Sequence, residues 1–314
     1  MNLTFSFFSI SKTILLAGCL FCVQAMAQNN ALSLKKIDQN VYAIFGQLGD
    51  RSAENLGNNA NFGFIITADG IVLIDSGASF QGAQAIHSLI KTVSEQPVIY
   101  VINTGGQDHR WLGNDYFSRL GAKIIASKAA TKDHTTRANS QIERLTSAIG
   151  EANIKDTKPK FADIQFDRSY SLQVAATQIE IIHAGSAHTP GDSIVWLPQS
   201  KTAFSGDIVY TQRLLGIISV SNSKSWVNAF EALKNLEPGI VIPGHGKTTD
   251  LASAIKDTYR YLTTLREKTR DFMDAGNGIE SISAISQDEF SYLKNYDILK
   301  GRNAQKVFEE LEWE

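Results

Sequence analysis

The sequence predicts an α/β chain, an αββα sandwich in which two β-sheets pack together between outer helices. Three observations point there. Short apolar runs of strand length recur in two blocks, each followed by a helical stretch. Those runs are nearly continuous in Val, Ile and Phe, as strands covered on both faces are. Several of them end in glycine-rich loops carrying His or Asp, so one rim of the sheets collects the reactive side chains. The 314 residues, 43% hydrophobic and 20% charged, supply enough apolar material for a large core.

Taken in order, Lys12 precedes an apolar run from Thr13 to Val23 that closes in Gln24-Ala25-Met26-Ala27. A charge, a short apolar stretch and a small-x-small site form a secretory signal, too short to span a bilayer comfortably. Cleavage after Ala27 gives an exported, periplasmic protein with no transmembrane span. The Leu16-Ala17-Gly18-Cys19 stretch offers lipidation at Cys19 as the alternative, although Leu20-Phe21-Cys22-Val23 carries the apolar run past that cysteine. Both cysteines, Cys19 and Cys22, fall inside this segment. The mature protein then has neither disulfides nor thiolate ligands, and a metal would need nitrogen and oxygen donors. A net charge of -2 excludes the basic face that non-specific nucleic-acid binding needs.

Val41–Phe45, Phe62–Ile66 and Ile71–Asp75 read as strands, with Asp69-Gly70 turning the last two into a hairpin. A helix follows with Ala85, Ile86, Leu89 and Ile90 on one face. Val98–Ile102 is a buried strand that delivers the loop Asn103-Thr104-Gly105-Gly106-Gln107-Asp108-His109-Arg110-Trp111-Leu112-Gly113-Asn114. Lys123–Ala126 is a further strand and Lys128–Ile149 a polar helix. The second block has strands at Thr177–His183, Ser193–Leu197, Thr202–Phe204 and Gly239–Ile242, with a helix near Ser225–Leu236. From Leu251 onward the pattern is mainly helical. The organisation expected is a signal segment at 1–27, one sandwich domain at 28–250 and a C-terminal helical extension at 251–314 packed on it.

Of the six histidines, His87 and His134 lie in helical stretches and read as surface or packing residues, and His183 as structural or as support for a ligand. His188, Asp207 and His245 each sit in a glycine-flanked loop after a buried strand. Burying imidazoles beside a carboxylate is costly unless a cation or hydrogen bonds compensate.

Asp75-Ser76-Gly77, Asn103–Asn114, Ala187-His188-Thr189-Pro190-Gly191-Asp192, Ser205-Gly206-Asp207 and Pro243-Gly244-His245-Gly246, in that order, resemble the metallo-β-lactamase-fold hydrolase superfamily from about Val41 to about Asp250. Within it the chain looks most like exported hydrolases associated with sulfur oxidation (the Sox system) and quinoprotein relays, and the Gly301-Arg302-Asn303-Ala304-Gln305 stretch is also similar.

The resemblance implies a metal-dependent hydrolase using a metal-bound hydroxide, with zinc expected first and manganese or iron as alternatives. The family loop reads Asn-Thr-His-x-His-x-Asp-His-x-x-Gly-Asn. Laid on it without gaps, Gly105 and Gln107 replace two histidines, His109 replaces the aspartate and Arg110 the last histidine. A second alignment pairs Asp108-His109 with the family's Asp-His, at the expense of a one-residue insertion.

Glycine offers no ligand, arginine stays protonated and glutamine is a weak neutral donor, whereas histidine coordinates well. The implied metal ligands are therefore His109, Asp207 and His245 in one tight site, with Gln107, His188 and the shared Asp207 in a second, weak or absent one. Asp75 and Asp192 match positions that orient ligands through hydrogen bonds, a turn cap being the alternative for Asp192. Asp108 is the candidate to orient water or shuttle its proton, and Arg110 to polarise a carbonyl. The resemblance implies a thioester or sulfur adduct as substrate, either a small molecule or attached to a carrier protein. The alternatives are a β-lactamase-type amide hydrolase and a metal-poor pseudoenzyme acting as a binding protein.

Overall fold

The computed structural model describes Met1 and residues 31–314, and the expected signal segment lies outside the described residues. Two sheets form the interior. The first has seven strands in sequential order: β1 (Leu32–Asp38), β2 (Val41–Gly46), β3 (Asn61–Ile66), β4 (Ile71–Ile74), β5 (Val98–Ile102), β6 (Lys123–Ser127) and β7 (Ile164–Phe166). Pairing is antiparallel from β1 to β4 and parallel from β4 to β7. The second sheet comprises β8 (Ser169–Val174), β9 (Thr177–Ile182), β10 (Ile194–Leu197), β11 (Thr202–Phe204) and β12 (Ile240–Ile242), ordered β12-β11-β10-β9-β8. Only its β11–β12 pair is parallel.

The helices are α1 (Phe80–Lys91), α2 (Asp108–Trp111), α3 (Asn114–Arg119), α4 (Lys128–Ile149), α5 (Glu151–Ile154), α6 (Ser223–Asn235), α7 (Leu251–Ala254), α8 (Arg260–Asp274) and α9 (Tyr296–Leu311). Side-chain caps fix four of the starts, with Asp250 Oδ1 accepting from Ser253 N at α7. Ser79 Oγ accepts from Gly82 N, Ser127 Oγ from Ala130 N and Asn222 Oδ1 from Ser225 N. The expected strands are all present; β1, β7 and β8 are additional.

Strand alternation sorts the apolar side chains into layers. Val41, Ile65, Val72, Ile102 and Ile125 of the first sheet meet Ile179, Ile181, Val195, Phe204 and Ile242 of the second. On the first sheet's other face, Phe62, Phe64, Leu73 and Val101 pack on Ile86, Ile90 and Phe117 of α1 and α3. The second sheet's outer face, with Ile194, Trp196, Ala203 and Val241, is covered by Trp226 and Phe230 of α6, Leu262 and Leu265 of α8 and Val307 of α9. The result is an αββα sandwich. Among the described residues no helix is long and apolar enough to cross a membrane.

Candidate metal centre

Loops leaving β4, β5, β11 and β12 meet at one rim. Asp75 turns out of β4 with φ of 62°, a left-handed conformation uncommon outside glycine. The turn directs its carboxylate back onto the β5 loop, where Oδ1 accepts from Thr104 N at 2.7 Å and Oδ2 from Thr104 Oγ1 at 2.7 Å. The β5 loop enters α2, which carries Asp108, His109 and Arg110 as consecutive buried residues.

Arg110 is fully buried, and each of its five N–H groups has a protein acceptor. Nε reaches Asp207 Oδ2 at 3.3 Å, and Nη2 reaches Asp207 Oδ1 at 2.6 Å and Gly244 O at 3.3 Å. Nη1 reaches Asn61 O at 2.8 Å and Asp75 Oδ2 at 2.9 Å. All five are thus engaged within the protein, and Arg110 stands as a buried strut joining Asp75 to Asp207. Glycine is required at 244 because a Cβ there would lie 2.7 Å from both Arg110 Nη2 and Asp207 Oδ1.

Asp207 is the junction. The Arg110 fork takes one side of each carboxylate oxygen, and an imidazole faces each oxygen as well: His109 Nε2 lies 3.3 Å from Oδ2 and His245 Nε2 3.3 Å from Oδ1. Burial alone would raise the Asp207 pKa, but Arg110 and the two histidines hold it well below the usual carboxylate range. Burial pushes His109 down to about 4, outweighing the attraction of Asp207, and drives His245 well below 6.5. Near neutral pH the cluster is one carboxylate and two neutral imidazoles.

That donor set fits one divalent cation. One ligand atom from each of His109, Asp207 and His245 lies within 4.8 Å of the other two. Two neutral imidazoles and one carboxylate are nitrogen and oxygen donors that zinc accepts; the two imidazoles face different oxygens of Asp207, each at 3.3 Å. His245 Nδ1 is buried without a hydrogen-bond partner. These three are the residues expected to form the tight site.

The other expected ligands stand apart. His188 is outside the group of three; its Nδ1 donates to Gly216 O at 2.9 Å, leaving Nε2 free. The Tyr210 ring packs against both it and His245, with centroids 5.8 Å and 4.7 Å away respectively. Gln107 Oε1 is buried with no donor. At 105, one of the two replaced positions, the space is filled: a Cβ on Gly105 would meet Asp192 Oδ1 at 2.3 Å, and one on the neighbouring Gly106 would meet Asp133 Oδ2 at 1.9 Å.

Asp75 and Asp192 hydrogen-bond to Thr104 and Arg110 and to Thr189 respectively. Asp75 acts through Arg110, and burial raises its pKa to about 6 against that positive charge. Asp192 caps a turn, its Oδ2 accepting from Thr189 N at 2.7 Å and its Oδ1 from Thr189 Oγ1 at 2.5 Å. Burial, with Asp207 nearby, pushes it up to about 8.

Asp108 is likewise engaged. Its Oδ1 accepts from His109 N at 2.7 Å and from Arg51 Nε at 3.0 Å, with Arg51 Nη2 also on it. Despite burial, Arg51 holds its pKa below the usual range, which makes it a poor proton acceptor. Sequence reasoning missed Arg51; it stands in the loop between β2 and β3 with no motif to mark it.

The family model described as "Metallo-beta-lactamase superfamily" matches residues 56–245. The chain belongs to that superfamily. Its members are metal-dependent hydrolases, and this chain is one of them by family. It is 26% identical over 215 residues to a metallo-beta-lactamase type 2 of Elizabethkingia meningoseptica, covering 67% of this chain and 78% of that one. With the type 2 enzyme of Bacillus cereus it shares 23% over 228 residues, 71% of this chain and 80% of that one.

Among solved structures, a metallo-beta-lactamase from Pontibacter korlensis superposes with a TM-score of 0.61 at 22% identity, over 74% of this chain and 99% of that one. The sec-alkylsulfatase Pisa1 from Pseudomonas sp. superposes with 0.69 at 17% identity, over 90% of this chain and 50% of that one. The metallo-beta-lactamase fold thus accounts for both sheets and their flanking helices.

Proposed function

We propose that this superfamily member is an exported hydrolase that holds a single divalent cation, zinc first, between His109, Asp207 and His245. The convergence of those three donors on one another carries the reading. A bound divalent cation supplies Lewis acidity and lowers the pKa of coordinated water to about 7. The protein's own groups do the rest. Arg110 fixes Asp207 from behind and keeps it ionised, and Asp75 anchors Arg110. Gln107 Oε1 is buried without a donor from the protein, an acceptor that an enclosed water would satisfy. Asp108 holds Arg51 at the rim.

For the substrate, a thioester or sulfur adduct, small or attached to a carrier protein, stays first, in line with the sulfur-oxidation resemblance. A β-lactam amide is the second reading, favoured by the curated relatives named metallo-beta-lactamases. The test is a hydrolysis screen of thioesters, β-lactams and alkyl sulfate esters with zinc-loaded protein. Turnover of a thioester that disappears in His245→Ala is the expected result. Turnover of β-lactams alone would move the substrate to the second reading, and turnover unchanged in His245→Ala would contradict the site.

A further inference from the structure

Arg51 Nη2 lies 3.0 Å from His109 Nδ1. A guanidinium can only donate, so Nδ1 presents its lone pair there and the ring proton sits on Nε2, the atom facing Asp207 at 3.3 Å. A cation bound through Nε2 needs the opposite tautomer, with the proton on Nδ1. That proton would point at the N–H of Arg51, donor against donor.

From this conflict we propose that Arg51 is a latch on the metal ligand: its hydrogen bond to His109 Nδ1 and a divalent cation on His109 Nε2 exclude each other, and loading the metal turns Arg51 off His109. The inference rests on the reading that His109, Asp207 and His245 share one cation.

The surroundings suit a side-chain movement with the backbone held. The loop on either side of Arg51 is tied down: Asn55 Nδ2 donates to Asp50 O at 2.9 Å, Ser52 N to Asn55 Oδ1 at 2.9 Å and Asn59 Nδ2 to Gly49 O at 3.0 Å. The Arg51 side chain keeps 22% exposure, whereas those of Asp108 and His109 keep 4% and 3%. It reaches the cluster from the solvent side, and Nε on Asp108 Oδ1 supplies a pivot. Turning about that pivot takes Nη2 off both His109 and Asp108, while Nε keeps the guanidinium paired to Asp108 Oδ1. The latch makes Arg51 a positioning residue: it selects the tautomer of His109 and touches neither metal nor substrate in the closed form.

Zinc affinity, measured by chelator competition on the wild-type chain and on Arg51→Gln and Arg51→Met, tests this. Both variants remove the charge, but only glutamine offers an acceptor for Nδ1–H. The expected order of affinity is Arg51→Gln, then Arg51→Met, then wild type, with the glutamine variant tighter than wild type by on the order of tenfold. Imidazole 15N shifts should show the His109 proton on Nε2 in zinc-free wild type and on Nδ1 after zinc. Equal tightening in both variants would mean charge repulsion alone and would overturn the latch, as would no tightening in either while wild type binds zinc. If wild type and both variants bind none, the shared-cation reading falls, and the latch with it.

Discussion

Asp207 and Arg110 are each other's main compensation for burial, and the predictions at the scale of single residues start from that pair. Asp207→Asn keeps the shape but leaves Arg110 with only Asp75 as a counter-charge. Breaking a buried pair from one side costs about 3–5 kcal/mol. Denaturant unfolding should register that loss; a change under about 1 kcal/mol would show that Arg110 is satisfied without Asp207. His134 gives a pH prediction. Burial moves it from 6.5 down to about 3, and its Nε2 donates to Gly105 O at 2.9 Å while the ring stacks on Trp111. As pH falls below 6.5 the unfolded chain takes up a proton that the folded chain refuses until about 3. This contribution to stability is whole above 6.5 and lost progressively down to about 3. His134→Gln should flatten that part of the stability profile, and an unchanged slope in stability against pH would count against the assignment. At this scale the sequence pointed to two members of the cluster, because Asp207 and His245 sit in glycine-flanked strand ends. It concealed Arg51 and the acceptors around Arg110, since the partners of an arginine come from segments distant in sequence.

The loop from β5 into α2, glycine-rich where the resembled pattern has histidines, is held in place by α4. His134 donates to Gly105 O, and Gln141 Nε2 and Arg137 Nη2 donate to Gly106 O at 2.8 Å and 3.2 Å. These contacts hold the loop where side chains at 105 and 106 would run into Asp192 and Asp133. Gly105→Ala should therefore destabilise by about 1–3 kcal/mol, as overpacking does. Placing histidines at 105 and 107 together should yield no second equivalent of zinc by calorimetry; a second equivalent would show that Asp192 yields its place. Elements as a class were legible where the apolar run was long or covered on both faces. β1, β7 and β8 were not: β1 and β8 alternate with Ser, Lys, Gln and Asp, and β7 has three residues.

Across the whole molecule, the two sheets and their outer helices exist so that four strand ends arrive at one rim. Parallel pairing of β4 with β5 and of β11 with β12 places Asp75, the 103–110 loop, Asp207 and His245 side by side. The αββα layering could be read from the order of runs and helices. The way Asp75, Arg110 and Asp207 share charge through the rim could not, because it depends on which loops meet. The central claim is that one cation belongs to His109, Asp207 and His245. Elemental analysis of the purified protein after zinc loading and dialysis tests it most directly, beside His109→Ala and His245→Ala. The account predicts one equivalent of zinc in wild type and almost none in either variant. Two equivalents in wild type, or one equivalent retained by both variants, would contradict it.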